Sequence, residues 1–250
     1  MSDLPHLPPI LEPATTAKPS AFGRTGATDP ASWDDWATSL RPLSLDAERV
    51  TVIAPHPDDE TFGCGGLIAE FTSRSVEVSV VTVSDGGASH PGHPDLAERR
   101  RAEQRSAVRA LGCGEAPVWL GLPDGRLVGD EHELGQRLGL LIEGSDLVVG
   151  PWPGDRHPDH EVVGRVTFDH ARRMGVRALA YPVWLWRWGG PHHLARTQVR
   201  RLPLSDGGLQ AKLAAMSCFP TQTTSMLGEA IIDREMLDRF SQPFEVYVDA

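Results

Sequence analysis

From residue 50 onward the chain alternates between two hydrophobic periods. Short apolar runs bounded by turn residues read as buried strands, and stretches with apolar positions three and four apart read as amphipathic helices. The pattern predicts strands at 50–54 (VTVIA), 76–84, 116–122, 146–152 and 176–186. It predicts helices at 61–74, 95–112, 130–144 and 159–175, the second and the last ended by Gly112 and Gly175. The tail is less regular, with a strand near 197–203, helices at 206–217 and 233–240, and a last strand at 244–248. Strands alternating with helices imply an α/β fold: a Rossmann-like, mostly parallel sheet with helices on both faces. The first 45 residues break this pattern. Residues 1 to about 28 are rich in Pro, Ala, Ser and Thr and read as a flexible arm. Asp29-Pro30 suits the start of a short helix whose Trp33 and Trp36 pin the arm to the body. Residues 46–250 then form one domain.

In open parallel sheets, ligands bind beyond the carboxyl ends of strands, where strand order reverses. The chemistry-bearing residues fall there. APHPDDETFGCGG (54–66) follows the first strand, and RHPDHE (156–161) follows the fourth. If these strands are neighbours, the clusters face each other across one crevice. Such a density of ionisable groups is costly to bury unless something pairs with it. A catalytic zinc takes three protein ligands and keeps one position open. His56 and Asp59 are three residues apart across a turn into a helix. His157 and His160 repeat the spacing, and either completes a His-Asp-His set. The remaining carboxylate and histidine stay beside the metal for proton transfer and charge stabilisation. Taken singly, each cluster is also what an ordinary capped helix start looks like; two of them, each directly after a strand, argue for the metal.

Composition narrows the partners. The 250 residues carry a net charge of −10, and 40% are hydrophobic. That charge argues against nucleic acid or an anionic membrane surface as partner. Three scattered cysteines form neither a disulfide framework nor a cysteine zinc site. With no signal-peptide pattern at the start and no membrane-length apolar run, the expected compartment is the cytoplasm.

PHPDDE after a strand, GCGG in the following helix and HPDH about a hundred residues later together resemble the PIG-L/LmbE family of metal-dependent de-N-acetylases. Further marks agree: Arg100-Arg101-Ala102-Glu103 with Ala107 and Leu111-Gly112, the loop Leu120 to Gly125 with Asp124-Gly125, and the segment from Lys212 to Gln222. The resemblance spans roughly residues 48–225. It implies an LmbE-like fold, with His56, Asp59 and His160 on the metal, Asp58 as general base and His157 as cationic stabiliser of the oxyanion. Arg100 and Asp124 become substrate or structural contacts. It also implies Zn2+ as cofactor, Fe2+ being compatible with the same ligands. The substrate is then a small N-acetylated amino sugar or its conjugate. Some members carry an oxyanion-donating tyrosine two residues before the first histidine of the second motif; Asp155 stands there in this chain.

Several residues keep two readings. Asp159 orients a histidine or caps a helix. Glu60 supports the ligands from behind or answers the helix dipole. Gly63, Gly65 and Gly66 form no phosphate loop, since no GKS/T follows, and instead allow close helix packing. Trp184, Trp186 and Trp188 would share one face of a strand, as a wall for a sugar or as core or subunit interface, the last compatible with a homo-oligomer. Competing functions are an amidase on a larger conjugate, a non-haem iron oxygenase using the same HxD and distant His, and an inactive binding protein. The βα alternation and the doubled aspartate favour the hydrolase.

Overall fold

A computed structural model of the chain describes residues 30–194 and 198–250. The segment up to Asp29, including most of the expected arm, lies outside them. The described chain opens with helix α1 (Pro30–Thr38) and a two-residue strand β1 (Arg41–Pro42). Then come β2 (Arg49–Ala54), α2 (Asp59–Thr72), β3 (Glu77–Ser84), α3 (Leu96–Ala110), β4 (Val118–Leu122) and α4 (Glu131–Ile142). The second half follows with β5 (Leu147–Pro151), α5 (Pro158–Met174), β6 (Arg177–Tyr181), α6 (Leu185–Trp188) and β7 (Val199–Pro203). It ends with α7 (Asp206–Met216), α8 (Pro220–Thr223), α9 (Arg234–Phe240) and β8 (Phe244–Asp249).

The strands form one sheet in the order β1-β7-β8-β6-β5-β2-β3-β4. All pairings are parallel except those of β8, which runs antiparallel between β6 and β7. β2 pairs with both β3 and β5, with Val50 opposite Leu147 and Val52 opposite Val149. The chain winds outward from β2 in one direction and from β5 in the other. The two motif-bearing strands are therefore neighbours at the point where strand order reverses.

Burial on both faces explains why these strands read as continuous apolar runs. Val52 belongs to the core beneath α2, α3 and α7, with Leu67, Ile68, Phe71 and Val108. Its neighbour Ile53 belongs to the opposite core, with Leu134, Leu138, Val162 and Val163 of α4 and α5. Trp33 of α1 is buried, edge-on to Trp36 and against Trp186, with ring centroids 5.5 and 4.6 Å apart. β1 adds to the sheet through β7, so packing joins residues 33–43 to the body. Among the described residues, no helix is long and apolar enough to cross a membrane.

Two expectations change. The strand expected over 176–186 stops at Tyr181, and residues 185–188 form α6. Pro182 cannot donate to a ladder, and the next three amides turn away from the sheet toward Asp155. The three tryptophans therefore share no strand face. The second change is in α2, which begins at Asp59 and kinks at Cys64 (φ −145°, ψ 24°). The glycines suit this crowding. A Cβ on Gly63 would collide with the Tyr181 ring, and one on Gly66 with Leu204 and Glu245. Beyond the kink, the amides of Gly66 and Leu67 donate to the Glu245 carboxylate at 2.7 and 2.8 Å. Buried Lys212 and Tyr247 hold that carboxylate from the other side.

Candidate metal centre

β2 delivers its carboxyl end straight into the loop Pro55–Asp58 and the first turn of α2. β5 does the same for residues 152–157 and the first turn of α5. The result is a buried cluster of His56, Asp58, Asp59, Asp159 and His160, with His157 partly covered at its edge.

Three ligand atoms converge. Asp59 Oδ2 lies 3.0 Å from His56 Nδ1 and 3.3 Å from His160 Nε2. Ligands about 2.0–2.2 Å from a tetrahedral zinc are themselves roughly 3.3–3.5 Å apart, close to these separations. His160 Nε2 is fully buried and has no hydrogen-bond partner, although a carboxylate faces it. An orphaned imidazole nitrogen aimed at a carboxylate and a second imidazole fits a divalent cation, which would satisfy all three. A second grouping, His56, His157 and Asp159, also gathers within 4.8 Å. There Asp159 is already committed, accepting the amides of Gly125 and Leu127 at 2.8 and 3.3 Å.

Supporting carboxylates fix the outer nitrogens of both histidines. His56 Nε2 lies 3.1 Å from Asp124 Oδ1 and 3.2 Å from Asp159 Oδ2, leaving Nδ1 to face Asp59. Asp159 thus sits against a histidine rather than capping its helix. Asp124 reaches the same nitrogen from the loop after β4 and accepts the Ala88 amide at 2.8 Å. His160 Nδ1 lies 2.9 Å from Asp155 Oδ2.

These pairings set the charges. Burial opposes the protonated form of His160, but Asp59 and Asp155 outweigh it and raise its pKa to about 9. Burial likewise opposes a charge on His56, and Asp124 above all reverses this, holding the pKa well above the usual imidazole value. Asp59 and Asp124 are held below the carboxylate range by the same histidines, against the effect of burial. His157 goes the other way. Burial, with His160 and His56 close by, pushes it down to about 3.

Asp58 occupies an unusual backbone position, φ 135° and ψ −30°, at the N-cap of α2, and its side chain makes no capping bond. Neighbouring groups hold it there. Its amide donates to Glu60 Oε2 at 3.2 Å, and its carbonyl accepts the amides of Thr61 and Phe62. Arg100 Nη2 lies 3.0 Å from Asp58 Oδ2 and also donates to the Pro57 carbonyl, while Nη1 reaches the Gly86 carbonyl. Burial raises the Asp58 pKa to about 8 despite that guanidinium. Strain of this kind persists only where the surroundings over-determine it.

Glu60 touches none of the histidines. It receives Thr61, Gln104 and the Asp58 amide, so it supports the strained turn from behind. Gln104 was not singled out from the sequence, though it lies four residues after Arg100 on the buried face of α3. A glutamine on an apolar helix face was the available signal. Asp155 was noticed only for the tyrosine it replaces. Trp184 is buried, its ring stacked 5.9 Å from His157, whereas Trp186 packs on Trp33 away from the cluster.

Fold and cluster together define a Rossmann-like α/β protein with a buried His-Asp-His set at its switch point. The model of the PIG-L family, described as GlcNAc-PI de-N-acetylase, matches residues 51–171. That match takes in just under half of the chain, and the relatives similar to it are deacetylases, hydrolases acting on amide bonds. The chain is 27% identical over 219 residues to a probable N-acetyl-alpha-D-glucosaminyl L-malate deacetylase 2 of Bacillus anthracis, covering 80% of this chain and 95% of that one. It is 30% identical over 146 residues to the diacetylchitobiose deacetylase of Thermococcus kodakarensis, covering 54% of this chain and 51% of the relative. The fold also matches the A40926 pseudoaglycone deacetylase with a TM-score of 0.65 at 22% identity, covering 82% and 97% of the two chains.

Proposed function

We propose that this chain is a zinc-dependent deacetylase that removes the acetyl group from an N-acetylated amino sugar or a conjugate of one. The observation that carries this is the convergence of His56 Nδ1, Asp59 Oδ2 and His160 Nε2 beside an uncapped, strained Asp58. The relatives named above, deacetylases of N-acetylglucosamine derivatives, support the substrate class. His56, Asp59 and His160 hold the metal; this donor set also accepts iron(II). When bound, the ion lowers the pKa of water and polarises the amide carbonyl.

The remaining work falls to side chains. Asp58, kept off the metal and held by Arg100, takes the proton of the attacking water and returns it to the departing nitrogen. Burial raises its pKa to about 8, and a dication held beside it would favour the carboxylate that accepts the proton. His157, neutral at rest, offers an N–H to the carbonyl oxygen and gains reason to hold a proton only as negative charge builds there. Asp124 and Asp159 keep His56 in the ligating tautomer. The net charge of −10 and three sparse, free cysteines suit a small substrate in the cytoplasm.

The test is acetate release from a panel of N-acetylated amino sugars and conjugates. The panel compares zinc-loaded protein, protein stripped by chelator, and Asp58→Asn. Release that depends on metal and on Asp58 is the expected result. Release of larger acyl groups only would move the assignment to an amidase on a conjugate. Release untouched by chelation would remove the metal from the mechanism.

A further inference from the structure

Asp155 meets His160 on one side, and the tryptophan turn that follows β6 surrounds it on the other. Asp155 is completely buried. Its Oδ1 accepts the amides of Val183 and Leu185 at 3.2 and 2.8 Å. Its Oδ2 accepts those of Val183 and Trp184 at 3.1 and 2.9 Å, and meets His160 Nδ1 at 2.9 Å. The turn grips the same segment again. Trp188 Nε1 donates to the Asp155 carbonyl at 3.0 Å, and the Arg156 guanidinium lies 3.9 Å over the Trp188 ring. Arg156 has φ 57°, a left-handed conformation uncommon for residues other than glycine. The hold extends from a turn on one strand to a histidine on the neighbouring helix.

We propose that Asp155 is the positioning residue for His160. Locked by the amides of residues 183–185, it accepts the Nδ1 proton of His160 and so presents Nε2 as the ligating nitrogen. The proposal rests on the reading of His160 as a metal ligand. It gives the turn a role distinct from both earlier readings: neither sugar wall nor plain core, but the anchor of one ligand. Donor counting sets the consequence. A carboxylate can accept every one of these N–H groups. An amide at position 155 must turn its NH2 either toward Trp184 N–H and His160 Nδ1 or toward the amides of Val183 and Leu185. The first orientation sets donor against donor at His160, and the ring escapes it by moving its proton to Nε2, where metal must bind. Loss of a carboxylate behind a ligating histidine typically costs about 10–100-fold in metal affinity.

The test measures zinc affinity by chelator competition for the full-length wild type, Asp155→Asn and His160→Ala, with circular dichroism as a check on folding. A folded Asp155→Asn weakened by about 10–100-fold is expected. If that variant binds as the wild type does while His160→Ala loses the metal, the proposal fails and the metal site stands. If His160→Ala binds as the wild type does, the metal-site reading itself fails. A second measurement needs no variant and covers the case in which Asp155→Asn does not fold. Nitrogen-proton NMR of the zinc-loaded wild type should place the His160 ring proton on Nδ1 in a strong hydrogen bond. A ring ligating through Nδ1, or carrying its proton on Nε2, would overturn the proposal.

Discussion

Asp58 combines a positive φ, a buried carboxyl and an arginine partner, a costly set of conditions for a residue whose side chain makes no capping bond to its helix. If its task is proton transfer, Asp58→Asn should lower kcat by about 10²–10⁴-fold while leaving zinc affinity nearly unchanged. A parallel fall in zinc affinity, measured by chelator competition, would make it a ligand instead. The histidines give a pH prediction. His160 is raised to about 9 in the metal-free protein from an ordinary value of 6.5. Its contribution to metal-free stability is therefore complete below pH 6.5 and lost as pH rises through about 9. Metal needs the ring without its second proton, so binding at pH 7 should release at least one proton, and affinity should climb with pH toward about 9. Calorimetry in buffers of different ionisation enthalpy counts the protons; zero release would contradict the pairing of His160 with Asp59.

Among the elements, α2 is the most constrained. Its kink at Cys64 opens two amides that Glu245 receives across 178 and 179 residues of sequence. Glu245→Gln weakens that cap and leaves buried Lys212 without its charge partner. Breaking a buried pair in this way costs about 3–5 kcal/mol, to be read from urea unfolding; a loss below 1 kcal/mol would show that the pair is dispensable. Gly63→Ala should destabilise as well, because the added methyl meets Tyr181, whose hydroxyl is held by the Ile53 carbonyl. The sequence made the packing role of these glycines legible, since no phosphate-loop residues followed them. It could not reveal the kink, which depends on a carboxylate from the last strand. The turn at Pro182 escaped for a related reason. YPVWLW has the composition of a strand, and only the distant Asp155 explains where its amides go. Locally determined features were legible: the order and type of the elements from β2 to β6, and the His-Asp spacing. Features fixed by partners far along the chain were not.

At the scale of the molecule, the alternating pattern was enough for the parallel sheet, whereas the adjacency of β2 and β5, on which the site depends, comes from the strand pairing itself. The place of the early tryptophans was legible too, but not the edge strand β1, which has only two residues and little pattern of its own. Trp33 ties α1 to Trp186 beside the turn that anchors Asp155. Trp33→Ala should cost about 3–5 kcal/mol in chemical denaturation, with the metal cluster intact in whatever protein remains folded. An unchanged midpoint would mean that α1 packs without contributing. All of these parts converge on one point in space, the position bounded by His56 Nδ1, Asp59 Oδ2 and His160 Nε2. Anomalous diffraction at the zinc edge from a zinc-loaded crystal tests it directly. The account predicts one strong peak about 2.0–2.2 Å from each of those three atoms, with Asp58 outside bonding distance. A peak held by another set of side chains, or no peak at saturating zinc, would contradict it.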